Sequence, residues 1–260
     1  MGELALASLV VLGAWWLGTA VVLRLVWLRR ATHGVSLAAS SVLAAHALWG
    51  VVATRELETP GAAYLAFGCA LAIWAWHELS FLLGVVTGPR KVPSPPGARG
   101  WRRFRLAAAT VIHHEIALAA TAGGLVALTW GAPNRVASGT FLVLWAMRLS
   151  AKLNVFLGVR NISEQFVPAR LKYLVTYFRR ARLNPLMPVS LVVSVGVTVA
   201  WAITAGNAGA SFEGVSATLL ATILGLAALE HLFLAVPLPD ALLWSWVLRA
   251  DLPASPGVEK

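Results

Sequence analysis

Ionisable residues of the types that bind metals, pigments or one another recur inside the apolar stretches of this chain. They are, in chain order, His77-Glu78, His113-His114-Glu115, Arg148, Lys152 and Glu230-His231. A charge placed in hydrocarbon costs about 2.5–3.5 kcal/mol on insertion scales, so such residues usually face a bundle interior and mark function. These side chains are therefore the candidate site.

The candidate residues share a depth in the predicted membrane. Each is placed by its distance from the nearest basic residue at the predicted cytoplasmic boundary, at a rise of about 1.5 Å per residue. All of them then fall in roughly the cytoplasmic half of the bilayer, and they come from several separate helices. A common depth predicts that they form one polar layer.

A structural charge network is the interpretation that the residue types favour for this layer. Arg148 and Lys152 are four residues apart and share one helix face. The glutamates at positions 78, 115 and 230 would neutralise them, and pairing is what makes buried charge tolerable. Such polar contacts also hold membrane helices together.

Two other kinds of chemistry remain open. Imidazole and carboxylate are ligands for iron, zinc and manganese, and a metal site would draw on His77, Glu78, His114, Glu115, Glu230 and His231. Adjacent His-Glu pairs lack the one-face Glu-x-x-His spacing of di-iron bundles, however. Contact with a tetrapyrrole is the third interpretation, and its candidate is His46, which small alanines surround.

The composition indicates an all-α, polytopic membrane protein. Of 260 residues, 58% are hydrophobic and 12% charged, and the mean hydropathy is +0.75. A spanning helix needs about 20 mostly apolar residues. The stretches that qualify predict about seven transmembrane helices in one domain: 4–28, 36–53, 62–86, 106–130, 137–158, 188–205 and 215–236.

The placement of basic residues predicts the topology. The net charge is +10, and nearly all the cations follow the first, third, fifth and seventh predicted helices, whereas the opposite loops hold only Arg55 and Arg135. By the positive-inside rule the N-terminus is outside and the C-terminus cytoplasmic. The basic face suits anionic membrane lipids, and no nucleic-acid recognition pattern accompanies it.

Three segments outside the spans have their own patterns. Prolines and glycines disfavour regular helix in the cytoplasmic loop 88–105. In the second loop, 161–187, apolar Leu171, Leu174, Val175 and Phe178 predict an amphipathic helix lying on the inner leaflet. Residues 240–249, DALLWSWVLR, predict a short interfacial tail helix.

Several motifs together resemble one known family. They are WHELSFLLGVVTGPR, HHEIALAA, TFLVLWAMRLSAKLNVFLGVRN, EQFVPARLKYL and ALEHLFLAVPL. This combination resembles the PuhE family of purple phototrophic bacteria, also called photosynthetic complex assembly protein 2, from the third helix to the tail. The family's motif residues coincide with most of the polar layer and add Asn154, Asn161 and Glu164.

The resemblance implies a function but no reaction. PuhE proteins are associated with formation of the photosynthetic apparatus and with bacteriochlorophyll supply, and their genes typically accompany that of the reaction-centre H subunit. We therefore expect a multi-pass protein of the bacterial inner membrane that assists assembly. Its expected partners are photosynthetic complex subunits, other assembly factors or pigment-synthesis enzymes.

The alternative is a membrane metalloenzyme acting on a bacteriochlorophyll or carotenoid precursor through the His/Glu layer. The expected ligand is accordingly bacteriochlorophyll or a precursor, or a metal ion. Motifs of soluble enzymes, such as GxSxG, a P-loop or a dinucleotide fingerprint, do not occur in the chain. The sequence therefore leans away from an enzyme without identifying the ligand.

Overall fold

Helices make up the body of the protein. The computed structural model describes residues 2–236, so the predicted tail helix at 240–249 lies outside the described residues. The α-helices are α1 (Gly2–Trp27), α2 (His33–Thr54), α3 (Pro60–Leu82), α4 (Gly100–Ala108), α5 (Ile112–Leu128), α6 (Val136–Leu157), α7 (Leu186–Ala208) and α8 (Phe212–Ala235). Short 3₁₀ segments occur at Arg30–Thr32, Glu164–Phe166 and Ala169–Tyr177.

The prediction of an all-α membrane protein with about seven spans is confirmed. Within residues 2–236, six helices (α1, α2, α3, α6, α7 and α8) are long and apolar enough to cross a membrane. The predicted fourth span, 106–130, differs from the expectation. It covers the end of α4 and the whole of α5, and these two helices meet at 66° across a short break.

Polar residues just before the helices explain several helix starts. The Thr59 hydroxyl accepts a hydrogen bond from the Ala62 N–H at 3.2 Å, and Pro60 occupies the first turn of α3. Ser211 accepts from the Gly214 N–H at the start of α8. The Asn184 side chain accepts from the Leu186 and Met187 N–H groups and so orients α7.

The apolar core borders the polar layer, since Trp15 and Trp145 pack against it. It joins residues of α1, α2, α3, α5, α6 and α8, and many of them are small, including Ala7, Ala63, Ala66 and Ala70. Small side chains let membrane helices approach closely. Helix α7 packs mainly on α8, and many of its valines are exposed, as expected for a surface that faces lipid.

The second loop folds differently from its pattern. Residues Ala169–Tyr177 form a 3₁₀ helix, and Leu171, Leu174 and Tyr177 are buried at every third position. Three residues per turn place these side chains on one face. That face packs against Phe81 and Val111 of the bundle. The prediction of an amphipathic α-helix on the leaflet was therefore wrong: the helix is of the 3₁₀ type, and its apolar face covers the bundle.

The first loop also departs from its prediction at one end. Residues 89–99 lack regular helix, as expected, but residues 100–105 belong to α4. Gly88 contacts the break between α4 and α5, where an added Cβ would lie 2.3 Å from the Ala109 carbonyl oxygen. Hydrogen bonds from the Arg90 N–H to Ala109 O and from the His114 N–H to Thr87 O complete this contact.

Candidate functional site

Two ion pairs form the centre of the polar layer. On α6, Arg148 donates to the Glu78 carboxylate of α3 at 2.9 Å. One turn later, Lys152 donates to the Glu115 carboxylate in the first turn of α5 at 2.6 Å. Helix α6 is therefore tied to α3 and α5 at one depth, which is the pairing that the charge-network interpretation expects.

Tryptophan indoles complete the coordination of the carboxylates. Trp145 donates from its Nε1 to Glu115 at 3.2 Å. Trp15 of α1 donates to Glu230 of α8 at 2.9 Å. Because an indole N–H away from water seeks an acceptor, these contacts fix how α1 and α5 register against their neighbours.

The layer carries more acidic than basic groups. Arg148 interacts electrostatically with Glu230 and Glu115 as well as with Glu78. Three carboxylates therefore share two cations, Arg148 and Lys152, and Glu230 is the carboxylate whose hydrogen bond comes from an indole rather than from a cation. A fully ionised layer would hold an excess negative charge near Glu230.

The histidines of the layer differ in their surroundings. His231 is bonded at both ring nitrogens, to the Ser150 hydroxyl and to the Ala227 carbonyl. His77 contacts the Thr121 hydroxyl at 2.9 Å. His114 is fully buried, and neither of its ring nitrogens has a hydrogen-bond partner within residues 2–236. Its ring lies 4.6 Å from the Phe81 ring, between centroids.

Two other predicted histidines lie on the surface. His113 is exposed. His46, the tetrapyrrole candidate, is also exposed, and its Nδ1 contacts the Val42 carbonyl of the same helix at 2.8 Å. Neither residue is in the polar layer.

The residues added by the PuhE resemblance hold helix ends together. Asn154 is fully buried and donates to the Ser190 hydroxyl at 3.1 Å, which links α6 to α7. Asn161 donates to the Phe233 carbonyl. Glu164 accepts from Arg180 at 2.9 Å. Asn161 and Glu164 lie beyond the end of α6, outside the layer.

Sequence reasoning missed the neutral members of the layer. Ser150 contacts His231, Asn154 and Ser190, and it lies midway between the two cations of α6. That spacing was a usable signal, since polar residues close together on one spanning helix are unusual. Trp15 had a weaker signal: tryptophan favours the ends of spans, and this one is in the middle of α1.

Metal binding finds no converging ligands in this arrangement. Among the residues that the structure describes, no three histidine, cysteine, aspartate or glutamate side chains are grouped as a metal ion requires. The carboxylates contact cations and indoles instead. The packing of His114 against Phe81 also leaves no room for a macrocycle on that ring face.

The layer is open on one side. The Arg148 side chain is 42% exposed, although its partner Glu78 is only 12% exposed. Glu230 is exposed as well. We call the surface formed by Trp15, Glu78, Arg148 and Glu230 the polar opening. It presents a cation and a carboxylate at membrane depth, where they can bind a partner that carries complementary polar groups.

Comparison with known proteins gives two findings. The profile of the family described as "Protein of unknown function (DUF3623)" matches residues 1–254. A protein of Rhodobacter capsulatus, described as a 30.4 kDa protein in the puhA 5′ region, is 36% identical over 247 residues. The match covers 94% of this chain and 90% of the relative. No solved structure is significantly similar.

Proposed function

The chain belongs to the DUF3623 family, and from that premise we propose that it is an assembly factor of the bacterial photosynthetic apparatus. The relative in the puhA 5′ region of Rhodobacter capsulatus supports this proposal, because PuhE genes typically accompany that of the reaction-centre H subunit. The protein would act in the inner membrane, on reaction-centre or light-harvesting subunits during their assembly.

The polar opening is the observation that carries the proposal. Arg148 and Glu230 are exposed at membrane depth, where water is scarce and polar groups gain from finding a partner. An assembly factor needs such an open but incomplete polar surface, because it must bind a client and later release it. The client group that fits best is a hydrogen-bond donor or cation that contacts Glu230.

The metalloenzyme alternative has no comparable support. Its six candidate ligands are distributed over α3, α5 and α8, and within the described residues no three of them are grouped as a metal ion requires. In this proposal, bacteriochlorophyll or a precursor is part of the client that is delivered to the complexes. The chain's own contribution is to hold the client at the polar opening.

Genetic complementation tests the proposal. In a purple phototrophic host whose own copy is deleted, we expect reduced near-infrared absorption of the reaction-centre and light-harvesting complexes. The unaltered chain should restore it. Glu230→Gln should not, although Gln keeps an oxygen that accepts from Trp15 and the protein should accumulate normally.

Glu213→Gln is the matched control. Glu213 is an exposed carboxylate at the opposite end of the same helix, α8, so this variant should restore absorption fully. Unchanged absorption in the deletion strain would refute the assembly role. A reduced level that Glu230→Gln restores would keep the assembly role but refute the polar opening as the client site.

A further inference from the structure

One arginine anchors helix α4 to the end of the bundle. Arg103 donates to the Phe156 carbonyl at 3.1 Å and to the Tyr177 carbonyl at 2.6 Å. Its guanidinium also lies 4.0 Å from the centre of the Phe156 ring. These contacts fix which face of α4 is turned towards α6 and which face is turned away from it.

The opposite face of α4 has two unpaired cations. Arg102 and Arg105 are exposed, and neither forms a hydrogen bond or ion pair within the described chain, in contrast to Arg103 and Arg90. They are three residues apart and therefore neighbours on the helix surface. Trp101 and Phe104 stack beside them, with ring centres 5.0 Å apart.

A groove lies next to these arginines. It has a volume of about 820 Å³ and is lined by Trp101, Arg102, Phe104, Arg105, Ala108 and Ile112, among others. Most of this lining belongs to α4 and to the break after it, and Ile112, the first residue of α5, lines the groove beyond the 66° bend. The volume is within the range of specific small-molecule sites.

The short α5 places this groove at the level of lipid headgroups. At 17 residues, α5 spans about 25 Å, which is less than the hydrocarbon thickness of about 30 Å. A short span is accommodated by local thinning of the bilayer or by flanking residues that reach the interface. Arg102 and Arg105 directly precede the bend and can reach phosphate groups at that level.

We propose that the groove between α4 and α5 binds one anionic phospholipid of the surrounding membrane. Arg102 and Arg105 hold its phosphate, Trp101 and Phe104 cover its glycerol region, and an acyl chain follows Ala108 and Ile112 along α5. The bound lipid contacts residues on both sides of the bend and stabilises the angle between the two helices. This site is separate from the polar opening and independent of the assembly role.

Native mass spectrometry tests the proposal. The purified protein in mild detergent is titrated with phosphatidylglycerol or with phosphatidylcholine, and the bound lipids are counted. We expect one phosphatidylglycerol to remain under conditions that remove phosphatidylcholine. Each basic residue near an anionic surface contributes about fivefold in affinity, so Arg102→Gln/Arg105→Gln should lower the affinity about 30-fold.

Two further variants separate a site from general charge attraction. Arg29→Gln/Arg30→Gln removes the same charge from exposed residues at the same end of the bundle and should leave phosphatidylglycerol binding unchanged. Ala108→Trp keeps both arginines but fills the groove, and it should reduce binding. Equal losses in the two double variants, or full binding by Ala108→Trp, would refute the site.

Discussion

His114 and His231 are both buried, but within residues 2–236 only His231 has hydrogen-bond partners for its ring. A buried polar group without a partner costs about 1–3 kcal/mol, and an apolar residue of similar shape avoids that cost. We therefore expect His114→Leu to keep or raise the unfolding temperature of the solubilised protein. His231→Leu should lower it, because the hydrogen bonds of the ring to Ser150 and to the Ala227 carbonyl are lost.

The outcome also bears on hydration. If His114→Leu is as destabilising as His231→Leu, the His114 ring must bind something in the membrane-bound protein, and an internal water is the simplest candidate. A tolerated His114→Leu would instead confirm that this residue contributes packing against Phe81.

The Glu115–Lys152 pair permits a second prediction at this scale. Breaking a buried ion pair costs about 3–5 kcal/mol, and the cost should fall below that range here because the Lys152 side chain is 24% exposed. We expect Glu115→Gln and Lys152→Met each to lower the unfolding temperature. The double variant should be more stable than either single variant, since it leaves no charge unpaired.

Glu58→Gln serves as the control for this cycle. Glu58 is exposed, outside the spans, and its substitution should not change stability. Strictly additive effects in the double variant would show that the two side chains do not stabilise the protein as a pair.

Residue type and depth singled out the four charged side chains that form the two ion pairs of the layer. Glu78, Glu115, Arg148 and Lys152 could be identified because charge inside an apolar stretch is conspicuous. The hydrogen-bond partners of Trp15, Ser150 and Ser190 could not be assigned, because they depend on how neighbouring helices are rotated and shifted. A single chain's hydropathy pattern does not contain that information.

At the scale of elements, tertiary contacts decided what the sequence pattern could not. Hydropathy predicted an unbroken fourth span at 106–130, since it averages over local breaks. The contact of Gly88 with residues 109–111 holds the bend instead. Leu171 and Leu174 are three residues apart, a spacing that fits one face of an α-helix or of a 3₁₀ helix equally well. Packing against Phe81 and Val111 selected the 3₁₀ helix.

Gly88→Ala tests the contact that holds the bend. The new Cβ would lie 2.3 Å from Ala109 O and 2.5 Å from the Thr110 carbonyl carbon, both backbone atoms. Overpacking of this kind costs about 1–3 kcal/mol, so we expect a lower unfolding temperature.

Gly123→Ala is the matched control on α5. No atom of the described part of the chain lies within 4 Å of an added Cβ there, and alanine is the better helix former by about 1 kcal/mol. The control should be neutral or stabilising. A Gly88→Ala protein as stable as the unaltered protein would mean that the loop is not seated against the break.

At the scale of the whole molecule, the structure collects the basic segments at one end. Arg170 donates to His33 and to the Leu83 carbonyl, and the Ser94 N–H donates to Thr176. The first turn of α2, the 84–99 loop and the 161–185 segment are thus joined.

Glu3 lies near Tyr64 at the other end of the bundle. The two ends of the bundle therefore differ in charge, and by the positive-inside rule we expect the basic end to face the cytoplasm.

Thiol labelling tests that assignment, because the single native cysteine, Cys69, is buried and should give little background. Pro96 and Glu58 are exposed at opposite ends of the bundle, so each can carry an introduced cysteine. In intact cells a membrane-impermeant maleimide should label Glu58→Cys and not Pro96→Cys, and permeabilisation should make both reactive. Labelling of Pro96→Cys from outside would invert the topology. The excess of arginine at that end would then contradict the positive-inside rule, and the polar layer would lie in the outer half of the membrane.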